Sequence, residues 1–136
     1  MKFSEGTIWS YPVAANAVIN VGAAVIANAS GYATQASTPS ANQVILGVAT
    51  ETVNNTGGAN GAVRVTVLKR GIVDATIVGG IAQAQVGATA YLDGYDAANQ
   101  RPKVHGSASD GSSNRTALGT VVSVEGSVAR IQLSTV

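Results

Sequence analysis

A single histidine, seven carboxylates and six aromatic rings are the side chains of this 136-residue chain with chemistry to offer. A hydrolytic triad needs a base to take the nucleophile's proton, an acid to orient that base, and a hydroxyl held by the fold. His105 is the one histidine available, with Ser107 and Asp110 as its sequence neighbours. Both neighbours fall in the Ser- and Gly-rich stretch from Gly106 to Thr116, the longest polar segment and the best candidate for a mobile loop. No Gly-x-Ser-x-Gly turn occurs. His105 therefore reads as a titratable group at a strand end or an interface. Asp93 and Asp96 flank Gly94 and Tyr95, a spacing that would offer oxygen ligands to a hard cation. The alternating acids of a calcium loop are missing, and a turn closed by aspartate side chains is the simpler reading. Gly57, Gly58 and Gly61 are not followed by the Lys and Ser or Thr of a phosphate loop, and no dinucleotide fingerprint is present. The chain thus reads as a non-enzyme, with no catalytic residue, cofactor or metal site.

The rings are Phe3, Trp9, Tyr11, Tyr32, Tyr91 and Tyr95. Such rings could stack on a sugar or on single-stranded nucleic acid. Trp9 and Tyr11 alternate onto one face of the first strand, where they are either core or anchors for a neighbouring subunit. The residues assigned to an interface are Met1, Lys2, Phe3, Ile8, Trp9 and Tyr11.

The elements that would position these groups are strands. Val63, Val65 and Val67 alternate with Arg64, Thr66 and Leu68, and Ile72 to Val78 and Val128 to Leu133 keep the same period of two. Further strands are predicted over 7–12, 21–27, 31–36, 44–50, 88–92 and 118–124. Gly71, between two alternating runs, predicts a bulge or sharp bend. Ile81 to Gln85 is bracketed by glycines and is too short for a stable helix. The segment from Asn54 to Gly61 suits a hairpin connection. Many short strands separated by Gly, Asn and Ser predict an all-β, single-domain sandwich or barrel over 7–136, preceded by an extended N-terminal arm over 1–6.

The second half repeats the first. Val21, Gly22, Ala23 and Ala24 return as Val86, Gly87, Ala88 and Thr89, and Gly31 and Tyr32 as Gly94 and Tyr95. Leu46, Gly47 and Val48 return as Leu118, Gly119 and the nearby Val121, and Gly61, Ala62 and Val63 as Gly126, Ser127 and Val128. Two similar halves follow, with an approximate internal repeat of 13–70 and 79–136, and Tyr32 and Tyr95 in matched positions.

Composition narrows the partners. Charged residues make up 11% of the chain and the net charge is +1, against about 25% charged in an ordinary domain. Only Lys69 and Arg70 are adjacent cations, so there is no field to draw nucleic acid or an anionic membrane. No apolar run reaches the ~18 residues of a membrane span. The apolar stretch from Val13 to Ala27 is broken by Asn16, Asn20 and Gly22, and reads as a pair of strands rather than a secretion signal. Cysteine is absent, which excludes disulfides and thiolate metal sites.

The chain resembles the head decoration, or capsid-cement, proteins of tailed bacteriophages. The resemblance runs from Thr7 to Tyr11 with Pro12 to Ala15, through Val18 to Gly22 and Val25, to Leu46 to Ala49 and Gly71 to Val73. It continues through Val86, Gly87 and Ala90 to Asp93, and closes with Leu118, Gly119, Val121, Val122 and Val128 to Leu133. This chain has Ala23 where the family often carries an acid, and its 106–116 loop is long. The resemblance implies a non-enzymatic protein that binds the outside of the assembled head and bridges major capsid protein subunits, commonly as a homotrimer. It further implies a place on the virion head surface after synthesis in the host cytoplasm, with no small-molecule substrate, nucleic acid or membrane as partner. The alternative is a surface ligand-binding β module of carbohydrate-binding type, which would gather Trp9, Tyr91 and Tyr95 in one shallow groove.

Overall fold

A computed structural model of the chain describes residues 8–109 and 114–133. The predicted arm, with Met1, Lys2 and Phe3, and Asp110 of the candidate triad lie outside the described residues. In chain order the strands are β1 (Ile8–Pro12), β2 (Val18–Ile19), β3 (Ala24–Ala27), β4 (Ala33–Gln35), β5 (Val44–Ala49) and β6 (Val53–Asn54). They continue as β7 (Arg64–Leu68), β8 (Ile72–Gly79), β9 (Thr89–Asp96), β10 (Arg101–His105), β11 (Thr116–Glu125) and β12 (Val128–Leu133). A single 3-10 turn spans Gln83–Gln85, and no α-helix occurs among the described residues. The all-β expectation is what the chain adopts. β2 and β3 make the pair of strands read in Val13 to Ala27, and β6 and β10 are additional to the strands read from the sequence.

Alternation becomes burial strand by strand. Val65 and Val67 of β7 are fully buried while Arg64 is exposed, and Ala129, Ile131 and Leu133 of β12 are buried while Arg130 and Gln132 face water. The first half forms an antiparallel sheet of order β1-β7-β5-β3-β4, with β2 and β6 as a separate small ribbon. The second half forms a closed barrel of order β10-β8-β12-β11-β9. Gly71, at φ +132°, makes the bend between β7 and β8, where one half passes into the next.

The two halves share their pairing register. Ala24 and Val25 of β3 face Val48 and Gly47 of β5, the ladder skips Leu46, and Ile26 then faces Ile45. Thr89 and Ala90 of β9 face Thr120 and Gly119 of β11, the ladder skips Leu118, and Tyr91 then faces Ala117. The repeated Leu-Gly pair is thus a bulge made twice. Its glycine is required in both copies: a Cβ on Gly47 would stand 2.5 Å from the Leu68 carbonyl oxygen, and one on Gly119 would stand 2.1 Å from that of Gln132. Turn hydrogen bonds repeat as well. Gly22 N–H donates to Ala49 O and Ala49 N–H to Ala23 O, both at 2.8 Å; Gly87 N–H donates to Val121 O at 2.8 Å and Val121 N–H to Ala88 O at 2.9 Å.

The correspondence reaches back to the first strand. β1 pairs with β7 from Ile8↔Leu68 to Pro12↔Arg64, and β8 pairs with β12 from Ile72↔Gln132 to Thr76↔Val128. Closure also repeats, in reduced form. β8 and β10 run parallel through Thr76↔Lys103 and Ile77↔Val104, while in the first half the same junction is one parallel bridge, Val13↔Ala33. Register therefore makes β1, β3, β4, β5 and β7 the counterparts of β8, β9, β10, β11 and β12. Two sequence matches do not survive: register equates Val128 with Arg64 rather than with Val63, and Tyr32 lies in the turn before β4, whereas Tyr95 lies inside β9 opposite Pro102. The β9–β10 hairpin is longer than β3–β4, so Gly-Tyr recurs there without an equivalent place.

Each half has its own core. Val13, Ile19, Val25, Ala33, Ala49, Val65 and Val67 fill the first. Leu92, Val104, Leu118, Val121, Ala129, Ile131 and Leu133 belong to the second, which also takes in Ala24, Ala36 and Val48 from the other face of the first sheet. Apolar contact between the halves is thus continuous with the second core. Tyr95 Oη donates to Val21 O at 2.7 Å, and Thr116 Oγ1 accepts from Gln43 N–H and donates to Ser40 O, each at 2.9 Å, which ties the halves further.

Candidate interaction surface

The groups that could have formed a reaction centre are engaged separately. His105 ends β10 half-buried, and its Nδ1 accepts from Ser107 N–H at 3.0 Å, so the serine meets the imidazole through its backbone. Asp93 is held by Arg115, with Nε 2.7 Å from Oδ1 and side-chain exposures of 10% and 4%. Arg115 also donates to Ser107 O at 3.2 Å, pinning the described ends of the 106–116 loop to β9. Asp96, three residues on, takes up different partners. Its Oδ2 accepts from Thr76 Oγ1 at 2.6 Å and from Asn99 Nδ2 at 2.8 Å; Asp93 to Asp96 are strand rather than the expected turn, and Asp96 instead closes the β9–β10 turn that follows. Arg101 Nε donates to the same Thr76 hydroxyl at 2.7 Å.

These bonds set the local electrostatics. The Thr76 hydroxyl, then Asn99, hold the Asp96 carboxyl down at about 2, with Arg101 adding a smaller pull. Burial pushes the neighbouring Tyr95 phenol up, and the Asp96 charge adds to it. Among the described residues no three His, Asp or Glu side chains approach closely enough to hold a metal ion. The two aspartates flanking Gly94 and Tyr95 do not converge.

The aromatic rings divide as well. Tyr11 packs against the first core and receives a hydrogen bond from Lys69 Nζ, which also stands 5.0 Å from the ring centroid. Trp9, two residues away on the same strand, is 49% exposed. The choice between core and anchor is therefore split, with Tyr11 inside and Trp9 at the surface. Ile8 is 54% exposed beside it. Tyr95 is spent on Val21 and Tyr91 is half-buried in β9, so Trp9, Tyr91 and Tyr95 do not share a groove.

What remains open is a strand edge. Among the described residues β1 pairs with β7 on one side, and on the other only the Val13 bridge, beyond its end, meets another strand. Ile8, Trp9 and Ser10 of this edge, with Arg64 and Thr66 of β7, border a shallow hollow of about 310 Å³. Arg64 lies along it, donating from Nε to Ser10 Oγ at 3.1 Å and from Nη2 to Ser10 O at 3.0 Å. Of the residues that sequence reasoning singled out, Ile8 and Trp9 lie on this edge while Tyr11 lies against the core, and Arg64 was missed, its only signal being its place on the polar side of an alternating strand. Sequence reasoning also missed Ile72, which register makes the counterpart of Ile8, because nothing in its local sequence resembles β1. Such an apolar, unguarded edge suits pairing and packing with another protein. No protein-family model matches the chain, and neither a curated protein nor a solved structure matches it.

Proposed function

We propose that the chain is a decoration protein of tailed-phage heads, which binds the outer surface of the assembled shell as a homotrimer and bridges neighbouring major capsid protein subunits. The observation that carries this reading is the β1 edge, where Ile8 and Trp9 stand half out of the fold on a strand that, among the described residues, is open along one side. Isolated exposed apolar residues are ordinary, but an exposed Trp beside an exposed Ile on an open edge is the composition of an interface anchor. The sparse charge supports the same role, since a surface of small neutral residues packs closely without desolvating ions. A ligand that prefers the assembled shell to its free subunits stabilises assembly by mass action, and bridging makes each second contact intramolecular. The carbohydrate-binding alternative loses ground because the three rings it needs are dispersed.

The test mixes purified protein with undecorated mature shells and follows co-sedimentation and the shell's melting temperature. Binding with thermal protection is expected. Trp9→Ala should weaken attachment about 30-fold, the effect of losing a hot spot of roughly 2 kcal/mol, while leaving the protein's own melting point nearly unchanged. Deleting residues 1–5 should weaken attachment or trimer formation far more than it lowers the domain's stability. Wild-type protein that neither binds nor protects shells would refute the proposal.

A further inference from the structure

The barrel closes between β8 and β10 through the ladder that begins at Thr76↔Lys103. Ahead of that ladder, residues 99–102 face Val73 and Asp74 across a cleft of about 310 Å³, and Gly22 and Val48 of the first half complete its border among the described residues. A concave space between two packed units, with apolar walls and a few polar groups, is where small ligands commonly bind. The turn leading into the cleft is held against the first half. Gln100 lies at φ +54°, a conformation more usual for Gly or Asn, with its carbonyl oxygen packed on Gly22. Arg101, next in the chain, is oriented by the fold. Its Nε donates to Thr76 Oγ1 at 2.7 Å, and that hydroxyl donates in turn to Asp96 Oδ2 at 2.6 Å. Among the described residues no group accepts from the two Nη nitrogens, so the outer fork of the guanidinium is positioned and unoccupied. Across the cleft the Asp74 side chain is 57% exposed, with Oδ1 3.5 Å from Arg130 Nε. A second hollow, of about 180 Å³, shares Asp74 and Arg101 with the cleft and is bordered further by Ser123, Glu125, Val128 and Arg130. The charges around the two spaces cancel: Asp74 and Glu125 against Arg101 and Arg130.

The geometry points to a binding site for a small zwitterion, a free α-amino acid with an aliphatic side chain. Its carboxylate takes the Nη pair of Arg101 in a bidentate contact, its ammonium takes Asp74 Oδ2, and its side chain lies on Val48, Val73 and Pro102. Charge balance selects this class. A lone anion drawn to Arg101 would also meet Asp74 and Glu125, and a lone cation drawn to Asp74 would also meet Arg101 and Arg130. A molecule carrying both charges a few ångströms apart answers both walls at once and leaves the surroundings neutral. The Arg130–Asp74 contact is no obstacle, since an exposed pair at that distance is weak. Asp96 does not compete for Arg101, because Thr76 and Asn99 occupy both of its oxygens. The site is separate from the β1 edge, and its occupancy does not depend on attachment to a shell.

The test titrates isotope-labelled full chain with leucine and follows backbone amide signals by nuclear magnetic resonance. Leucine should shift Asp74, Asn99, Gln100 and Arg101 and saturate in the millimolar range, where so small a molecule belongs. Isopentylamine, which lacks the carboxylate, and isocaproate, which lacks the ammonium, should each bind about 10-fold more weakly or worse, the loss of one charge-assisted contact. Asp74→Asn should weaken leucine by a similar factor without weakening isocaproate, and Arg101→Met should weaken leucine without weakening isopentylamine. The analogue series needs only the wild-type protein, so it decides the matter even if a variant folds poorly. Leucine that shifts none of these signals, or single-charge analogues that bind as well as leucine, would overturn the proposal. A blocked tripeptide, N-acetyl-Lys-Val-Asp-amide, carries the same two charges on side chains. Binding of that peptide more tightly than leucine would assign the cleft to a protein segment and overturn the free amino acid as its occupant.

Discussion

Gly22 and Gly87 precede β3 and β9 at equivalent places, and replacing each with alanine separates local backbone strain from contact between the halves. Their φ angles are +83° and +92°, so an L residue at either site pays for the left-handed conformation, about 1–2 kcal/mol. Around Gly87 a new Cβ would meet nothing within 4 Å. At Gly22 it would stand 1.8 Å from the carbonyl oxygen of Gln100 and 2.5 Å from that carbonyl's carbon. Those atoms are backbone of the β9–β10 turn, so relief requires the turn to withdraw by more than an ångström from the first half. Overpacking of this kind adds about 1–3 kcal/mol. Gly87→Ala should therefore cost roughly 1–2 kcal/mol and Gly22→Ala roughly 2–5 kcal/mol. At about 3 °C per kcal/mol for a domain of this size, the melting points should fall by roughly 3–6 °C and 6–15 °C. Urea titrations followed by circular dichroism measure both variants, with unchanged m-values securing the comparison. Equal losses, or a larger loss at Gly87, would refute the claim that the β9–β10 turn is seated against Gly22.

Three further outcomes follow from the polar contacts. Asp93→Ala deletes the charge-assisted hydrogen bond between Asp93 Oδ1 and Arg115 Nε, and should lower stability by about 1–3 kcal/mol in the same urea assay. Asp96 has a folded pKa of about 2, below its ordinary 3.8, so its contribution is complete above pH 4 and lost as pH falls toward 2. Asp96→Asn should flatten that part of the acid-unfolding profile, and an unchanged slope would count against the Thr76 and Asn99 bonds. Tyr95 is shifted the other way, so its contribution is complete below pH 10 and lost as pH rises through the folded pKa. Tyr95→Phe should cost about 1 kcal/mol at neutral pH by deleting the bond to Val21 O, and should remove the phenol's share of the alkaline loss.

The sequence was most legible where one face of a strand is buried and the other wet. β7 and β12 announced themselves because Val65 and Val67, or Ala129, Ile131 and Leu133, alternate with polar residues. β10 did not, because Arg101 to His105 holds a proline and two cations in five residues, although Pro102 and Val104 are its buried positions. The two-residue strands β2 and β6 are shorter than any periodic signal. The repeat was visible at its glycines because bulge and turn geometry restricts the residue type, as at Gly47 and Gly119. It was invisible between β1 and β8, where Ile8-Trp9-Ser10-Tyr11-Pro12 and Ile72-Val73-Asp74-Ala75-Thr76 share one residue and only hydrogen-bond register reveals the relation. Gly31-Tyr32 and Gly94-Tyr95 show the opposite case, since identical residues fell at places that pairing does not equate. The exposure of Trp9 was beyond sequence because a ring on the inward parity of an edge strand is buried only if a further strand covers it.

That difference between the halves bears on how the β1 edge is kept available. In the second half, β10 runs beside β8 and closes the barrel with a parallel ladder. The first half has only the Val13↔Ala33 bridge there, and the nearby backbone is satisfied by a side chain instead. Buried Asn55 donates from Nδ2 to Ala14 O at 2.8 Å and to Ala59 O at 3.0 Å, while Ala14 N–H donates to Ala33 O at 3.0 Å. An amide in that position fixes the chain just past β1 without extending a strand along it. Closure is thereby confined to the far end of β1, and among the described residues Ile8 to Tyr11 pair with β7 alone. A partner strand that adds to that edge has to displace the exposed Arg64 side chain from Ser10 O, so binding there costs little rearrangement of the fold. Rigid presentation of an unpaired apolar edge is what a protein needs if its work is adhesion to a repeating surface.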